Sequence, residues 1–423
     1  MWKLTSFLFI AISFASVGQF NWTWTELQQM PFRTSNNAVC EAFVGGQEYV
    51  YSFGGIDTTK ALTGIHQRAF KYDVSGYLWT EIAPLPDTLG KIASSASYVK
   101  GKIYILGGYH VFPSTEISSN RVHIYNPATD TYEADGAAIP TPIDDQVQCV
   151  YRDSLIFVVT GWSNTGNVPA VQIYDPTLNQ WQVGTSTTNN AFFTAFGASG
   201  YILGDTIYYH GGASGGSFGA RKYVRKGYIN PADPTDINWE QMADAPGDAG
   251  YRSACSGVGN TVFWIGGSGI SYNFDGIAYS NGVGVEPLTR ALHLGVSDNQ
   301  YADETSQIYG VMDLRGIAKL SNNRWIICGG MDSNQVVSNR TFLLDNPLVD
   351  MAEGGIPDGY KVFASEDQVK VHSPQRASAQ LMTLSGQIVI TWKNKKDFVF
   401  KRSDYSTGIY LFHHQGTRFR ILL

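Results

Sequence analysis

The 423-residue sequence predicts an all-β protein, a six-bladed β-propeller closed by an N-terminal strand and followed by a small β-sandwich C-terminal domain. Three observations carry this. An apolar run ending in a glycine pair recurs as VYSFGG (50–55), IYILGG (103–108), IYYHGG (207–212), VFWIGG (262–267) and WIICGG (325–330), with the TG of VVTG (158–161) as the remaining copy. The first residues of the six pairs lie at 54, 107, 160, 211, 266 and 329, so the period is 53, 53, 51, 55 and 63 residues, in the range of propeller repeats. Composition agrees: only 16% of residues are charged, 13% are aromatic and 45 are glycine, against about 25% charged in an average protein.

Taken from the N-terminus, residues 1–18, MWKLTSFLFIAISFASVG, place Lys3 before an apolar stretch and then small residues, the layout of a secretory signal peptide. The mature chain is expected to begin near Gln19 and to be exported through the periplasm, to be secreted or held at the outer cell surface. No other segment approaches the ~18 apolar residues of a membrane span. A net charge of −6 without a Lys/Arg stripe argues against nucleic acid as a partner.

In three repeats a tyrosine precedes a second aromatic by seven residues, as Tyr72 to Trp79, Tyr125 to Tyr132 and Tyr174 to Trp181, with a turn of Asp, Asn, Pro or Gly between. A proline-bearing exit follows in APLP (83–86), AIPTP (138–142) and ADAP (243–246). One repeat reads as a four-stranded antiparallel meander. The glycine pairs are expected to be packing devices, because blades crowd near the axis and a Cβ would meet the neighbouring blade. Repeat 6 offers three strands, GIAKL, RWIICGG and TFLLDN, while NWTWTELQQMPFR (21–33) has the tryptophan and proline exit of a fourth. Closing the ring with that strand removes two exposed edges.

Apolar run plus glycine pair, tyrosine, tryptophan and proline turn together resemble the kelch motif. Residues 19–347 thus look like a six-bladed kelch propeller of the galactose-oxidase-like superfamily. The resemblance weakens in repeat 4, where the Tyr228–Trp239 spacing is stretched, and in repeat 5, where the aromatic landmark is missing near GVEPL (284–288). After a Gly/Pro-rich linker (348–360), residues 361–423 alternate as short strands. LMTLSGQIV (381–389) and the terminal STGIYLFHHQGTRFRILL resemble the type A C-terminal sorting domain read by the type IX secretion machinery of Bacteroidota. That resemblance implies the secretion machinery as a partner.

Four cysteines, Cys40, Cys149, Cys255 and Cys328, are too few for a disulfide framework. They read as small buried residues, with a Cys40–Cys328 disulfide as the other possibility. Cys149 and Cys255, each 11 residues before a glycine pair, are expected at equivalent positions.

Candidate binding residues come from the loops sharing one face of the meanders: Arg33, Lys91, Asp144, Asp145, Arg252 and Arg315 from loops entering each repeat, with Tyr109, His110, Trp162 and Tyr251 as stacking surfaces. The irregular stretch 296–313 is expected to reach over the same face. A copper-radical oxidase is disfavoured: His110 and His210 sit beside glycine pairs, but no cysteine is placed to cross-link a metal-bound tyrosine. No cofactor or metal is expected. The sequence favours a non-catalytic binding module for a glycan or protein ligand. The alternative is a sialic-acid-like sugar mutarotase or epimerase, with Arg33, Asp145 or Glu304 as acid/base groups.

Overall fold

The computed structural model describes residues 22–304, 309–346, 360–364, 367–383, 388–405, 409–414 and 417–422. The leader 1–18, the turn 384–386 and most of the linker lie outside them. The chain divides into two compact units, 1–346 and 347–423.

The first unit is six antiparallel meanders, blades 1 to 6. Their inner strands are Ala38–Val44, Ile92–Val99, Val147–Tyr151, Phe196–Leu203, Ala254–Val258 and Ala318–Leu320. Blade 6 contributes three strands of its own. Its outer strand is Thr23–Glu26, paired antiparallel with Thr341–Asp345 in the register Trp24↔Leu344, so the N-terminal segment closes the ring as the strand count predicted. The same segment plugs the seam between blades 5 and 6: Trp22 packs edge-on against Phe263 (5.0 Å) and Trp325 (5.6 Å), and its indole N–H donates to His293 (2.9 Å).

The core lies between blades. Val39, Val50, Phe70 and Tyr72 of blade 1 bury against Ala318, Leu320 and Ile326 of blade 6, and Phe157 and Ile173 of blade 3 bury against Ile207 and Ile229 of blade 4. A four-stranded sheet is apolar on both faces here because each face meets a neighbour.

The tyrosine–aromatic landmark is a cross-strand pair: Tyr72↔Trp79, Tyr125↔Tyr132 and Tyr174↔Trp181 face each other with ring centroids 5.1, 5.0 and 5.0 Å apart. The outer aromatic also ties to the preceding blade, since the Trp181 indole donates to Ala137 O (2.7 Å) and Trp239 to Thr185 O (2.8 Å). Repeat 5 has its counterpart after all: Tyr301 opposes Leu294, and its hydroxyl donates to Ala243 O (2.8 Å). In repeat 4 the longer outer strand Asp233–Gln241 sets Trp239 against Gly227.

For its first part, 296–304, the stretch 296–313 departs from the expectation, while Val311 and Asp313 at its end do reach the axis. Gln300–Glu304 is the outer strand of blade 5, which puts Glu304 at the periphery and away from the axis. The long loop on the candidate face is 268–290 instead, between the second and third strands of the same blade.

Both residues of each glycine pair have positive φ (63° and 83° at Gly107 and Gly108). The N–H of the second glycine donates to the loop entering the next blade: Gly55 to Lys91 O, Gly108 to Ile143 O, Gly212 to Gly250 O, Gly267 to Val311 O and Gly330 to Thr34 O, at 2.7–3.2 Å. A Cβ on Gly54 would sit 2.9 Å from Lys91 O, and one on Gly211 would collide with Gly250 O. Blade 3 has Thr160 instead, whose hydroxyl accepts from Ala195 N (3.0 Å).

All four cysteines are free thiols, so no Cys40–Cys328 disulfide forms. Nor are Cys149 and Cys255 equivalent. Cys149 pairs with Phe157 two positions into its ladder (Val147↔Val159), while Cys255 pairs with Trp264 one position in (Ala254↔Ile265). Blade 3 closes its hairpin with three turn residues (152–154) and blade 5 with two (259–260), and one residue of slip turns a side chain to the other face.

The second unit is a single sheet in which the long strands Gln368–Thr383 and Ile388–Lys401 pair along their length, with Lys361–Ala364, Ile409–His414 and Thr417–Leu422 alongside. The hairpin folds over on itself. Trp392 and Phe398 are six residues apart on one strand, about 20 Å if extended, yet their rings are 5.6 Å apart. The register breaks between His372 and Ala377 supply the bend, and the two limbs enclose one core of Val369, Val371, Leu381, Phe400 and Phe412.

Candidate functional site

Two residues after each of those five carbonyls, and after Ala195, whose carbonyl accepts from the Thr160 hydroxyl (3.3 Å), the chain enters the left-handed region: Asn36, Ala93, Asp145, Gly197, Arg252 and Asp313 all have φ between 47° and 66°. That conformation turns each residue tangentially around the axis. Asp145 N donates to Ala93 O, Gly197 N to Asp145 O, Arg252 N to Gly197 O, Leu314 N to Arg252 O and Asn36 N to Asp313 O (2.8–3.2 Å), and Ala93 N reaches Asn36 Oδ1 (2.8 Å). A closed belt of hydrogen bonds results, one link per blade. Five of the six are not glycine, so their strain is offset by the belt they complete.

Three belt residues carry charge, and the belt brings them together. Arg252 Nε and Nη2 donate to both carboxylate oxygens of Asp145 (3.1 and 2.6 Å), and Nη1 donates to Asp313 Oδ1 (2.9 Å). Asp313 also accepts from Asn36 Nδ2 (3.2 Å) and from the Ser35 hydroxyl. Tyr251 and Tyr272 hold the guanidinium from the side, with ring centroids 5.2 and 5.5 Å from Cζ. Arg252 is 1% exposed. Burial pushes the Asp313 carboxyl up, against the pull of Arg252.

This lattice is the floor of a cleft of about 140 Å³ lined by Tyr109, Glu116, Asp144, Asp145, Trp162, Phe196, Phe218, Arg252, Asn273 and Tyr279. Its wall is an aromatic box in which Trp162 meets Phe196 and Phe218 edge-on (both 5.4 Å) and Phe218 meets Tyr279 (5.4 Å). Asp144 and Trp162 exchange backbone hydrogen bonds (both 2.9 Å). Asp144 Oδ2 accepts from Ser118 Oγ (2.6 Å). Burial, reinforced by the charge of Asp145, pushes the Asp144 carboxyl well above the usual range, and desolvation raises Glu116 at the rim. The cleft thus pairs two acids of raised pKa with an apolar wall.

Because Asp144 is protonated more readily folded than unfolded, it favours folding at low pH, and that contribution falls as pH rises through and above the ordinary aspartate range. Asp144→Asn is expected to be more resistant to urea than the parent at pH 8, with the difference vanishing toward pH 4. A difference that grows at low pH would contradict the assignment.

Of the ten sequence-derived candidates, the structure gathers Tyr109, Asp144, Asp145, Trp162 and Arg252 in the cleft, with Tyr251 buried directly behind Arg252. Arg315 lies below the lattice, 3.5 Å from Asp145 Oδ1. Arg33 is exposed and donates to Val337 O (3.2 Å), outside the cleft. Lys91 and His110 belong elsewhere. Lys91 is the counterpart of Ile143, two residues short of the belt, and points into a buried cluster with Asp87 (3.2 Å), where burial holds it down to about 8. Asp87 also faces His123 (3.1 Å) and His110 (3.8 Å). Sequence reasoning missed Glu116, Phe196, Phe218, Asn273, Tyr279 and Asp313. Asp313 was within reach, being 16 residues before Gly329 just as Asp144 is 16 before Thr160; the others come from loops without a repeat landmark.

Residues 93–134 match the Kelch motif family, and they run through all four strands of blade 2, from the belt residue Ala93 past the glycine pair to Thr131–Tyr132. The chain is 25% identical over 229 residues to Kelch-like protein 25 of Xenopus tropicalis, covering 52% of this chain and 35% of that protein. It is 28% identical over 107 residues to an F-box/kelch-repeat protein of Arabidopsis thaliana, 25% of each chain. The solved structure of YjhT superposes with a TM-score of 0.60 at 15% identity, covering 82% of this chain and 99% of that one. The first unit is a six-bladed propeller with a Kelch motif in its second blade. The chain spans about a third and a quarter of the length of the two curated relatives. Among the described residues no cluster of His, Cys, Asp or Glu has the form of a metal site, and no helix is long and apolar enough to cross a membrane.

Proposed function

We propose that the kelch propeller is a recognition module and that the cleft above Arg252 receives one polar ring, such as the terminal sugar of a glycan. The observation that carries this is the juxtaposition of the Trp162–Phe218–Tyr279 wall with Asp144, Glu116 and Asn273. Aromatic faces pack against the C–H face of a sugar, while carboxyl and amide groups exchange hydrogen bonds with its hydroxyls. Arg252 serves as the floor, its charge already matched by Asp145 and Asp313.

A glycan array with the purified protein, followed by calorimetry on the best ligand, tests the reading. Trp162→Ala is expected to weaken binding at least tenfold, about 1.4 kcal/mol, and a wild-type affinity in that variant would refute the site. The sugar mutarotase is the second reading, favoured by one feature: Asp144 and Glu116, both raised, stand beside an Asp145 ion-paired to Arg252, an acid and base arrangement at one cleft. It predicts faster interconversion of sugar anomers in an NMR time course, lost in Asp145→Asn.

Export remains part of the proposal. The C-terminal unit is proposed as a sorting domain for the type IX machinery, on the resemblance of its terminal strands, and the leader as its route to the periplasm. Removing residues 361–423 is expected to strand a folded propeller in the periplasm; surface display of that truncation would refute the role.

A further inference from the structure

The Asp145–Arg252–Asp313 lattice caps a second chamber. Beneath it, two contiguous cavities of about 70 and 530 Å³ share Ala96, Gln148, Gly200, Cys255 and Gly316 in their walls and run to the opposite face of the ring. Neither shares a lining residue with the upper cleft.

Arg315 lines the inner cavity and is 5% exposed. Its Nη2 donates to Ser95 Oγ and Gln146 O (both 3.0 Å), and its Nη1 lies 3.5 Å from Asp145 Oδ1, an anion already held in two places by Arg252. Its Nε–H meets no acceptor among the described residues. Beside it, Gln146 Nε2 donates to Leu106 O (3.1 Å), which fixes the amide and leaves the buried Oε1 without a donor. Buried polar atoms of this kind are filled by a ligand or by ordered water. Burial lowers the pKa of Arg315, as expected of a cation short of compensation.

Lys319 lines the outer cavity. Its ammonium donates to two neutral oxygens, Tyr201 Oη (3.0 Å) and Gly257 O (2.7 Å). Two carboxylates stand near the mouth. Glu41 accepts from the Lys319 backbone N–H (2.8 Å), and burial raises its pKa; Asp153 Oδ1 accepts from Lys100 N (2.8 Å). Arg152 is engaged by Asp205 (2.7 Å). Arg315, Ile317 and Lys319 alternate along one stretch of extended chain and all line the shaft. Four residues, in the strands Arg315–Gly316 and Ala318–Leu320 on either side of Ile317, separate the two cations by up to about 13 Å along the backbone. Between them the wall is narrow and largely uncharged, with Ala96, Gly200, Cys255 and Ile317.

We propose that this lower shaft is a second binding site, for an elongated dicarboxylate. Its inner carboxylate accepts the free Arg315 Nε–H, its methylene chain lies along Ala96, Gly200 and Ile317, and its outer carboxylate sits at the Lys319 ammonium. Gln146 Oε1 takes a hydroxyl or a water next to the inner head. Ligand and water differ in one respect: only a ligand of matching length uses both cations.

The test is calorimetry and thermal unfolding of the full chain with linear dicarboxylates from succinate to sebacate, with hexanoate and inorganic phosphate as comparators. One length is expected to bind at least tenfold more tightly than hexanoate. Lys319→Gln, at the partly exposed mouth, is expected to bring that ligand down to the affinity of hexanoate, whereas Arg315→Lys weakens both and Trp162→Ala, in the upper cleft, changes neither. Absence of binding across the series, no dependence on length, phosphate binding as tightly as the best dicarboxylate, or an unaffected Lys319→Gln variant would each overturn the proposal.

Discussion

Arg252→Ala is expected to cost about 3–5 kcal/mol of unfolding free energy in urea, the range for breaking a buried ion pair by removing one partner. The reason is what the substitution leaves behind. Asp145 and Asp313 would remain buried, at 2% and 0% exposure, with Asp145 left to Arg315 at 3.5 Å and Asp313 to the Ser35 hydroxyl and the Asn36 amide. The triple variant Arg252→Met, Asp145→Asn, Asp313→Asn removes all three charges and is expected to recover most of the loss, because desolvation offsets much of the attraction within such a lattice. The belt hydrogen bonds are made by backbone groups and by the Asn36 side chain, none of which is substituted, so they survive in both variants and the difference between them isolates the charges. A single-variant loss below 1 kcal/mol would show that water reaches the lattice.

A chain lacking residues 22–32 is expected to lose cooperative unfolding altogether. The deletion exposes the free edge of Thr341–Asp345, empties the place of Trp22 between Phe263 and Trp325, and removes Gln28 O, one acceptor of the Trp79 indole (3.1 Å). It also takes away Met30, buried against blade 1. Both blades flanking the seam are damaged at once, and a ring cannot redistribute the gap, since each blade relies on two neighbours for its core. A truncated chain that still melts in one sharp transition at the parent temperature would mean that the closing strand contributes little.

The repeat and the packing role of the glycine pairs were legible in the sequence because each is a local constraint restated blade after blade. Gly107 and Gly211 are glycines for the same reason, a next-blade carbonyl where a Cβ would stand, and Tyr72, Tyr125 and Tyr174 precede their partners by seven residues because the turn between two paired strands has a set length. Strand counting located the unpaired edge without coordinates. Half of the cleft was readable in the same way, since Asp144, Asp145, Trp162, Arg252 and Tyr109 sit at repeat landmarks.

What the tertiary structure alone decided is which of several similar offsets reaches the axis. Lys91 and Asp144 share an offset of 16 from their glycine pairs, yet Lys91 stands where Ile143 does and turns outward to Asp87, because the hairpin that follows closes with two turn residues in blade 2 (100–101) and three in blade 3 (152–154). An offset counts residues along the chain, whereas facing depends on ladder register, and a shift of one residue reverses it. The same slip separates Cys149 from Cys255. Arg252 meets Asp145 across 107 positions and Asp313 across 61, a meeting made by ring closure and the left-handed belt. The sequence by itself determined the blades and the strand that joins them; the closed ring decided which charges they enclose, because only closure brings residues from blades 3, 5 and 6 to a common axis.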